Sequence, residues 1–142
     1  MENNLIENYI THNHFGKLLG MEFKIISDGQ LEYYITINKN HLATPLAAHG
    51  GLIAALIDGA LGVAALSSVY KENKVISTVE YKTNFLNPAL LNDELKAVAK
   101  VDQKGKRIIV VSCDVFAVNR NNTLIAKALG TFNAYDASRA GY

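Results

Sequence analysis

His49-Gly-Gly-Leu-Ile-Ala-Ala-Leu-Ile-Asp58-Gly-Ala-Leu-Gly-Val-Ala-Ala-Leu-Ser-Ser-Val69 is the stretch on which the reading of this chain turns. After the paired glycines it runs without a break from Leu52 to Val69, rich in Ala and Leu, with Asp58 as its only charge. It is apolar nearly all round, which is the pattern of a helix buried on every side. Such a segment is also about long enough to cross a bilayer. An Asp at the middle of a span costs roughly 2.5–3.5 kcal/mol on insertion scales, and Ala and Gly return little of that. No aromatic belt or positive flank accompanies it, so the expectation is a central helix inside a globular core and no membrane partner.

Outward from this helix the pattern changes to strands. Upstream, residues 21–27 and 31–38 flank Asp28-Gly29, a strong hairpin signal. Before them, residues 3–12 place Leu5, Ile6, Tyr9 and Ile10 on one stripe, predicting a short helix that covers something larger. Phe15-Gly-Lys-Leu-Leu-Gly20 leads from it into the first strand. Between hairpin and helix, His41-Leu-Ala-Thr-Pro45-Leu-Ala-Ala-His49-Gly-Gly51 reads as a loop of unusual backbone geometry. Downstream, residues 75–86 are β-branched and aromatic and end at Asn87-Pro88. Residues 94–102, 107–119 and 123–134 follow as three more strands, separated by polar turns, and 136–142 reads as a flexible tail. The order predicts an α+β fold: one domain over 1–142, with six antiparallel strands and one long helix packed on a sheet face.

Composition narrows the function. The formal net charge of +1 is spread along the chain with no basic tract to neutralise a row of phosphates, so nucleic acid is not an expected partner. The first residues lack the positive and apolar regions of a secretory signal, and the cytoplasm is the expected compartment. Cys113 is the only cysteine, which rules out an intramolecular disulfide; inside Ile108-Ile-Val-Val-Ser-Cys113 it reads as a small buried thiol, not a nucleophile. An apolar fraction of 49% against 19% charged is high for a chain this small, and part of that surface is expected to meet another subunit.

The chemistry centres on Asp58. A lone carboxylate in an apolar helix is costly to bury unless it has partners or a task, and position alone leaves a functional and a bland reading balanced. The entry to the same helix tips the balance, because His49-Gly50-Gly51 brings free N–H groups and the positive helix end where a carbonyl oxygen can dock. Asp58 stands about two turns further on, roughly 11–12 Å by rise, so a neighbouring copy can supply the other half of one site.

These residues also resemble a family. His49-Gly-Gly-Leu-Ile-Ala-Ala-Leu-Ile-Asp58 is similar, residue for residue, to the HGG-x6-D signature of PaaI-type hotdog thioesterases. Thr78-Val-Glu-Tyr-Lys-Thr-Asn-Phe-Leu-Asn-Pro88-Ala resembles the strand that follows in that family, and the likeness spans about residues 15–134 in element order. The resemblance implies the hotdog fold, a sheet wrapped around a long helix, with dimers joined edge to edge and often paired into tetramers. It implies hydrolysis of acyl-CoA thioesters with no metal or cofactor, coenzyme A entering as part of the substrate. By position, Gly50 would polarise the thioester carbonyl, and His49 would hold that loop or the thioester. Asp58 from the partner would act as base or nucleophile, and Thr78 would orient water or support the carboxylate. Gly51, Thr44 and His41 would contact substrate, although a solvated loop histidine is the commoner reading of His41. Many relatives have an Asn six residues before the motif's histidine; Ala43 stands there, which removes a polar contact that Thr44 or His41 would have to replace.

Other residues read more plainly. His12 and His14 lack further ligands at metal-site spacing. Asp114 is a strand residue facing water or a partner. Lys82, Lys104, Lys106 and Arg107 are solvated cations that also suit coenzyme A phosphates. Tyr33, Tyr34, Tyr81 and Phe85 read as sheet packing. The rival functions are a non-catalytic acyl-CoA-binding module and a hydratase or dehydratase of enoyl thioesters, though the usual His/acid arrangement of the latter is not seen around Asp58.

Overall fold

A computed structural model, describing residues 4–142, shows a six-stranded antiparallel sheet curled around one helix. Two short helices, α1 (Leu5–His12) and α2 (His14–Leu19), precede β1 (Glu22–Ser27) and β2 (Gln30–Thr36). The long helix α3 (Gly50–Val69) follows, then β3 (Lys74–Phe85), β4 (Glu94–Lys104), β5 (Ile108–Ala117) and β6 (Thr123–Asp136). The strand order β1-β2-β4-β5-β6-β3 leaves β1 and β3 as the edges. This is the expected hotdog arrangement.

The core explains the helix. Leu56, Ile57, Ala60, Leu61 and Ala64 are wholly buried, and the strands meet them with alternate residues such as Tyr33, Ala97, Val111, Val115 and Phe132. Small side chains at Ala97, Ala99, Ala126 and Gly130 let the sheet bend close to the helix axis. The helix long and apolar enough to span a bilayer is therefore largely buried inside its own chain. A 3-10 turn at Tyr70–Glu72 follows it and closes where Asn73 adopts a left-handed φ of 55° and its N–H donates to the Tyr70 carbonyl. Gly29, at φ 80°, makes the Asp28-Gly29 turn, and its N–H donates to the buried Ser67 hydroxyl at 2.8 Å, fastening the hairpin to α3.

Three expectations need correction. The first helix begins at Leu5, capped by the Asn4 side chain, and residue 3 lies outside the described residues. The segment 15–20, expected only as a lead into β1, belongs to α2, capped by Asn13 and closed by Gly20 at φ 83°. Six residues are too few to show a helical period. The residues 136–142 are not a loose tail: they form a turn of 3-10 helix at Ala137–Ala140, and Ala137 is buried with Leu5, Leu66 and Val75 in a second small cluster. Ala137 is the one buried residue of that turn, and so small a side chain gives no apolar signal in the sequence.

Strand β3 decides the geometry of the site. It pairs only with β6, and its register slips between Thr78 and Glu80, leaving Val79 as an extra residue. Before the bulge the even positions Ile76 and Thr78 face α3; after it the odd positions Tyr81 and Phe85 do. Gly130 opposite Tyr81 has no room for a side chain, since a Cβ there would lie 2.9 Å from the Tyr81 Cβ and 3.0 Å from a Leu61 methyl. Gly130→Ala is accordingly expected to destabilise the fold by about 1–3 kcal/mol through overpacking, read as a lower urea midpoint with unchanged slope.

Candidate functional site

Helix α3 begins where the loop delivers His49. That residue is extended, at φ −62° and ψ 137°, and its Nδ1 accepts the Gly51 N–H at 2.7 Å. The Leu52 N–H turns back to the His49 carbonyl at 2.9 Å, and the His49 N–H is taken by the His41 carbonyl at 2.8 Å. Among the amides at this helix end, the Gly50 N–H is left with no acceptor among the described residues. It is exposed, at the positive end of the helix dipole, and beside the Phe85 ring. A cleft of about 360 Å³ opens there, lined by Gly50, Ile53, Phe85, Pro88, Ala89 and Ile125.

Asp58 stands on the same helix, half-buried, and its Oδ1 accepts the Thr78 hydroxyl at 2.9 Å. Its second oxygen has no partner among the described residues. Tyr81 donates to the Ala54 carbonyl at 3.3 Å, and burial first and the Asp58 charge second hold its phenol above the ordinary tyrosine range. Tyr9 from α1 is raised in the same direction, by burial, then Tyr33, then Asp58. The carboxylate is thus fringed by protonated hydroxyls. Tyr33 closes the back: its ring lies 3.3–3.5 Å from where a Gly59 Cβ would be.

Strand β3 runs alongside α3 so that its bulged half meets Asp58 and its far end meets Gly50. Asp58 and the Gly50 amide are eight positions apart on one helix, roughly 12 Å of rise. One chain therefore presents an acid end and an amide end, too far apart to touch one small group together.

The other expected contacts fall differently. Gly51 is not a free donor, because its N–H is spent on His49. It matters for space instead: a Cβ there would come within 2.8 Å of the His49 Nδ1. Thr44 is exposed, and its hydroxyl accepts the Ala47 N–H at 3.0 Å, shaping the loop. His41 is neither a solvated loop histidine nor a lining residue of the cleft. It is 5% exposed, its Nδ1 accepts the Asn38 N–H at 3.0 Å, and its Nε2 is 2.9 Å from the Leu19 carbonyl. Nδ1 as acceptor leaves the proton on Nε2 to donate to that carbonyl, so the ring is a neutral brace between α2 and the loop. Cys113 is buried, which pushes its thiol up to about 12, as befits a packing residue. Phe85, read as packing, instead flanks the amide.

A further pair, not singled out in the sequence, supports the loop. Asp93 is buried and receives Arg120 Nε at 2.7 Å and Nη2 at 2.8 Å, together with the Leu90 N–H at 2.7 Å. Burial pushes its carboxyl up, but the Arg120 hydrogen bonds and the Leu90 amide outweigh that and hold it below the usual range. The partners are 27 residues apart in the chain, and nothing in their spacing announces them.

Two expectations follow. In Gly51→Ala the lost cap, worth about 0.5–2 kcal/mol, is roughly offset by the helix propensity of Ala, so stability barely changes while the amide at 51 exchanges faster by NMR. A depressed carboxyl contributes stability above its unfolded pKa and loses it as pH falls through the folded one. Asp93→Asn should therefore cost stability near neutrality and flatten the decline below about pH 4, seen in urea midpoints across pH.

Comparison with known proteins agrees with this geometry. The family model described as the thioesterase superfamily matches residues 47–123, from the loop before Gly50 to the start of β6. An inferred esterase of Saccharolobus solfataricus is 32% identical over 119 residues, covering 82% of this chain and 75% of its own. A second, from Thermoplasma acidophilum, is 30% identical over 122 residues, covering 84% and 89%. Among solved structures, the E. coli PaaI protein of the phenylacetic acid degradation operon superposes with a TM-score of 0.83 at 22% identity, covering 93% of this chain and 91% of its own. A thioesterase family protein of Silicibacter pomeroyi gives 0.82 at 24%, covering 94% and 96%. The matched stretch contains the loop that leaves one amide free and the helix that follows it, and the chain belongs to the thioesterase superfamily.

Proposed function

We propose that this protein is an acyl-CoA thioesterase whose active sites form between two copies of the chain, with Asp58 as general base. The observation that supports this most directly is the Thr78–Asp58 hydrogen bond, which fixes one carboxylate oxygen and leaves the other available to take a proton. Water held at that free oxygen attacks the thioester carbonyl, Asp58 accepts its proton, and the carbonyl electron pair moves onto oxygen. The Gly50 N–H donates to that oxyanion, an interaction stronger in the transition state than in the bound substrate. Collapse restores the carbonyl, breaks the C–S bond and expels coenzyme A as thiolate, which needs no strong acid because thiols ionise near pH 8.5. His49 holds the loop through Gly51, and in this reading the reaction uses no metal or redox cofactor.

The separation within one chain supports a shared site. A carbonyl accepting from the amide and a water held by the acid must come within about 3–3.5 Å of each other, and that chain of contacts is shorter than the roughly 12 Å of helix rise between the two groups. Pairing two β3 edges about a twofold axis brings Asp58 of one protomer toward Gly50 of its partner, and each copy gives what it receives. The 12-residue β3 edge, with Val79 and Phe85 each 57% exposed, is long and apolar enough to favour such pairing over exposure to water.

A panel of acyl-CoA esters with a free-thiol readout tests the reaction. Hydrolysis by wild type and a fall of at least about 100-fold in Asp58→Asn is the expected result. Tight binding without turnover would instead indicate a binding module, and water addition to crotonyl-CoA a hydratase. The shared site has its own test. Gly50→Pro deletes the free N–H without breaking an internal bond, at a first helical position that tolerates proline. Mixed after unfolding and refolding, inactive Asp58→Asn and Gly50→Pro chains should regain about a quarter of wild-type activity, because half of the dimers are mixed and each holds one intact site. No recovery would argue for sites built within one chain.

A further inference from the structure

The donor at Gly50 lies on a loop whose position is set elsewhere. Residues 46–48 are tied sideways to the segment after β3: the Ala48 N–H donates to the Ala89 carbonyl at 2.8 Å, and the Leu91 N–H to the Leu46 carbonyl at 3.0 Å. Ala47 and Leu90 form a bridge between these bonds. That segment is in turn held by one side chain, since the Asp93 carboxylate accepts the Leu90 N–H at 2.7 Å. Arg120 grips Asp93 with two nitrogens and also donates to the Pro88 carbonyl at 2.9 Å. Arg120 is presented by the β5–β6 turn, where Asn121 and Asn122 take left-handed φ values of 55° and 52°. The same turn holds β4 through Asn119, which accepts the Glu94 N–H at 2.9 Å and donates to the Asn92 carbonyl at 3.2 Å.

We propose that the ion pair of buried Asp93 with partly exposed Arg120 is the positioning element for the Gly50 amide, transmitting the placement of the β5–β6 turn through Pro88–Leu90 to residues 46–50. This rests on the function proposed above for Gly50. Geometry argues for placement over bulk stability. The guanidinium is planar and bidentate, so it fixes angle as well as distance, and its third contact falls on the segment that touches the loop. The segment Pro88–Ala89 also lines the cleft beside Gly50. A donor that must meet an oxyanion within a few tenths of an ångström gains from a rigid support that never touches substrate.

Asp93→Asn and Arg120→Lys test this beside Ile109→Ala, a core change at the opposite end of β5 chosen to match their loss of stability. Steady-state kinetics on an acyl-CoA ester and amide exchange over residues 46–52 are measured for each. In both pair variants kcat should fall by about 10- to 100-fold while KM stays within about threefold, because a displaced oxyanion donor weakens the transition state more than the bound substrate. Exchange over 46–52 should rise about tenfold, and Ile109→Ala should leave both quantities near wild type. The inference is overturned if the pair variants keep wild-type kcat and exchange, or if Ile109→Ala reproduces both changes. If Asp93→Asn does not fold, Arg120→Lys, altered at a partly exposed side chain with its charge kept, decides the matter. If wild type hydrolyses no ester, the thioesterase reading fails and the exchange comparison alone judges the pair.

Discussion

A helix that is apolar on every side has no face it can leave in water, so the rest of the chain must surround it. That constraint shapes this molecule. The sheet curls until its inward residues reach Leu56, Ile57, Ala60 and Leu61 from several directions, and at Gly130 there is no room for even a methyl between strand and helix. Burying a fully apolar side chain is worth roughly 1.5–3 kcal/mol, and α3 presents many of them, so its packing outweighs any single polar contact in the protein.

Polar chemistry is left only where that wrapping is incomplete. One place is the start of α3, where the Gly51 and Leu52 amides turn back to His49 and that of Gly50 has no acceptor among the described residues. The other is the flank of α3 next to the edge strand, where Asp58 meets Thr78. Both lie along β3, which has a neighbour on one side alone. An enclosed helix thus pushes its reactive groups to a seam, and the seam is the edge most in need of cover.

Much of this was legible in the sequence for a physical reason: periodicity and turn chemistry are local. The unbroken apolar run, Asp28-Gly29, the β-branched stretch before Pro88 and the His49-Gly50-Gly51 entry each announce themselves within a few residues. Asp58 and Thr78 were visible as single polar residues in motifs of fixed spacing. What was not legible depended on distance along the chain or on absence of bulk. Asp93 and Arg120 look like ordinary surface charges until folding brings them together. His41 looked solvated, and only the packing of α2 against the loop buries it. Gly51 looked like a donor, yet its amide is occupied and its missing side chain is what matters.

The extra residue at Val79 makes β3 a strand read in two phases. Up to Thr78 the side chains that face the helix are even-numbered; beyond it they are odd-numbered, and the acid end and the amide end of the cleft lie on opposite sides of that change. Loss of one residue here would keep every hydrogen-bonding strand residue in type but turn either Thr78 or Phe85 outward. Along this strand the residue count is therefore constrained in its own right: one residue more or fewer at the bulge re-aims every inward side chain on one side of it.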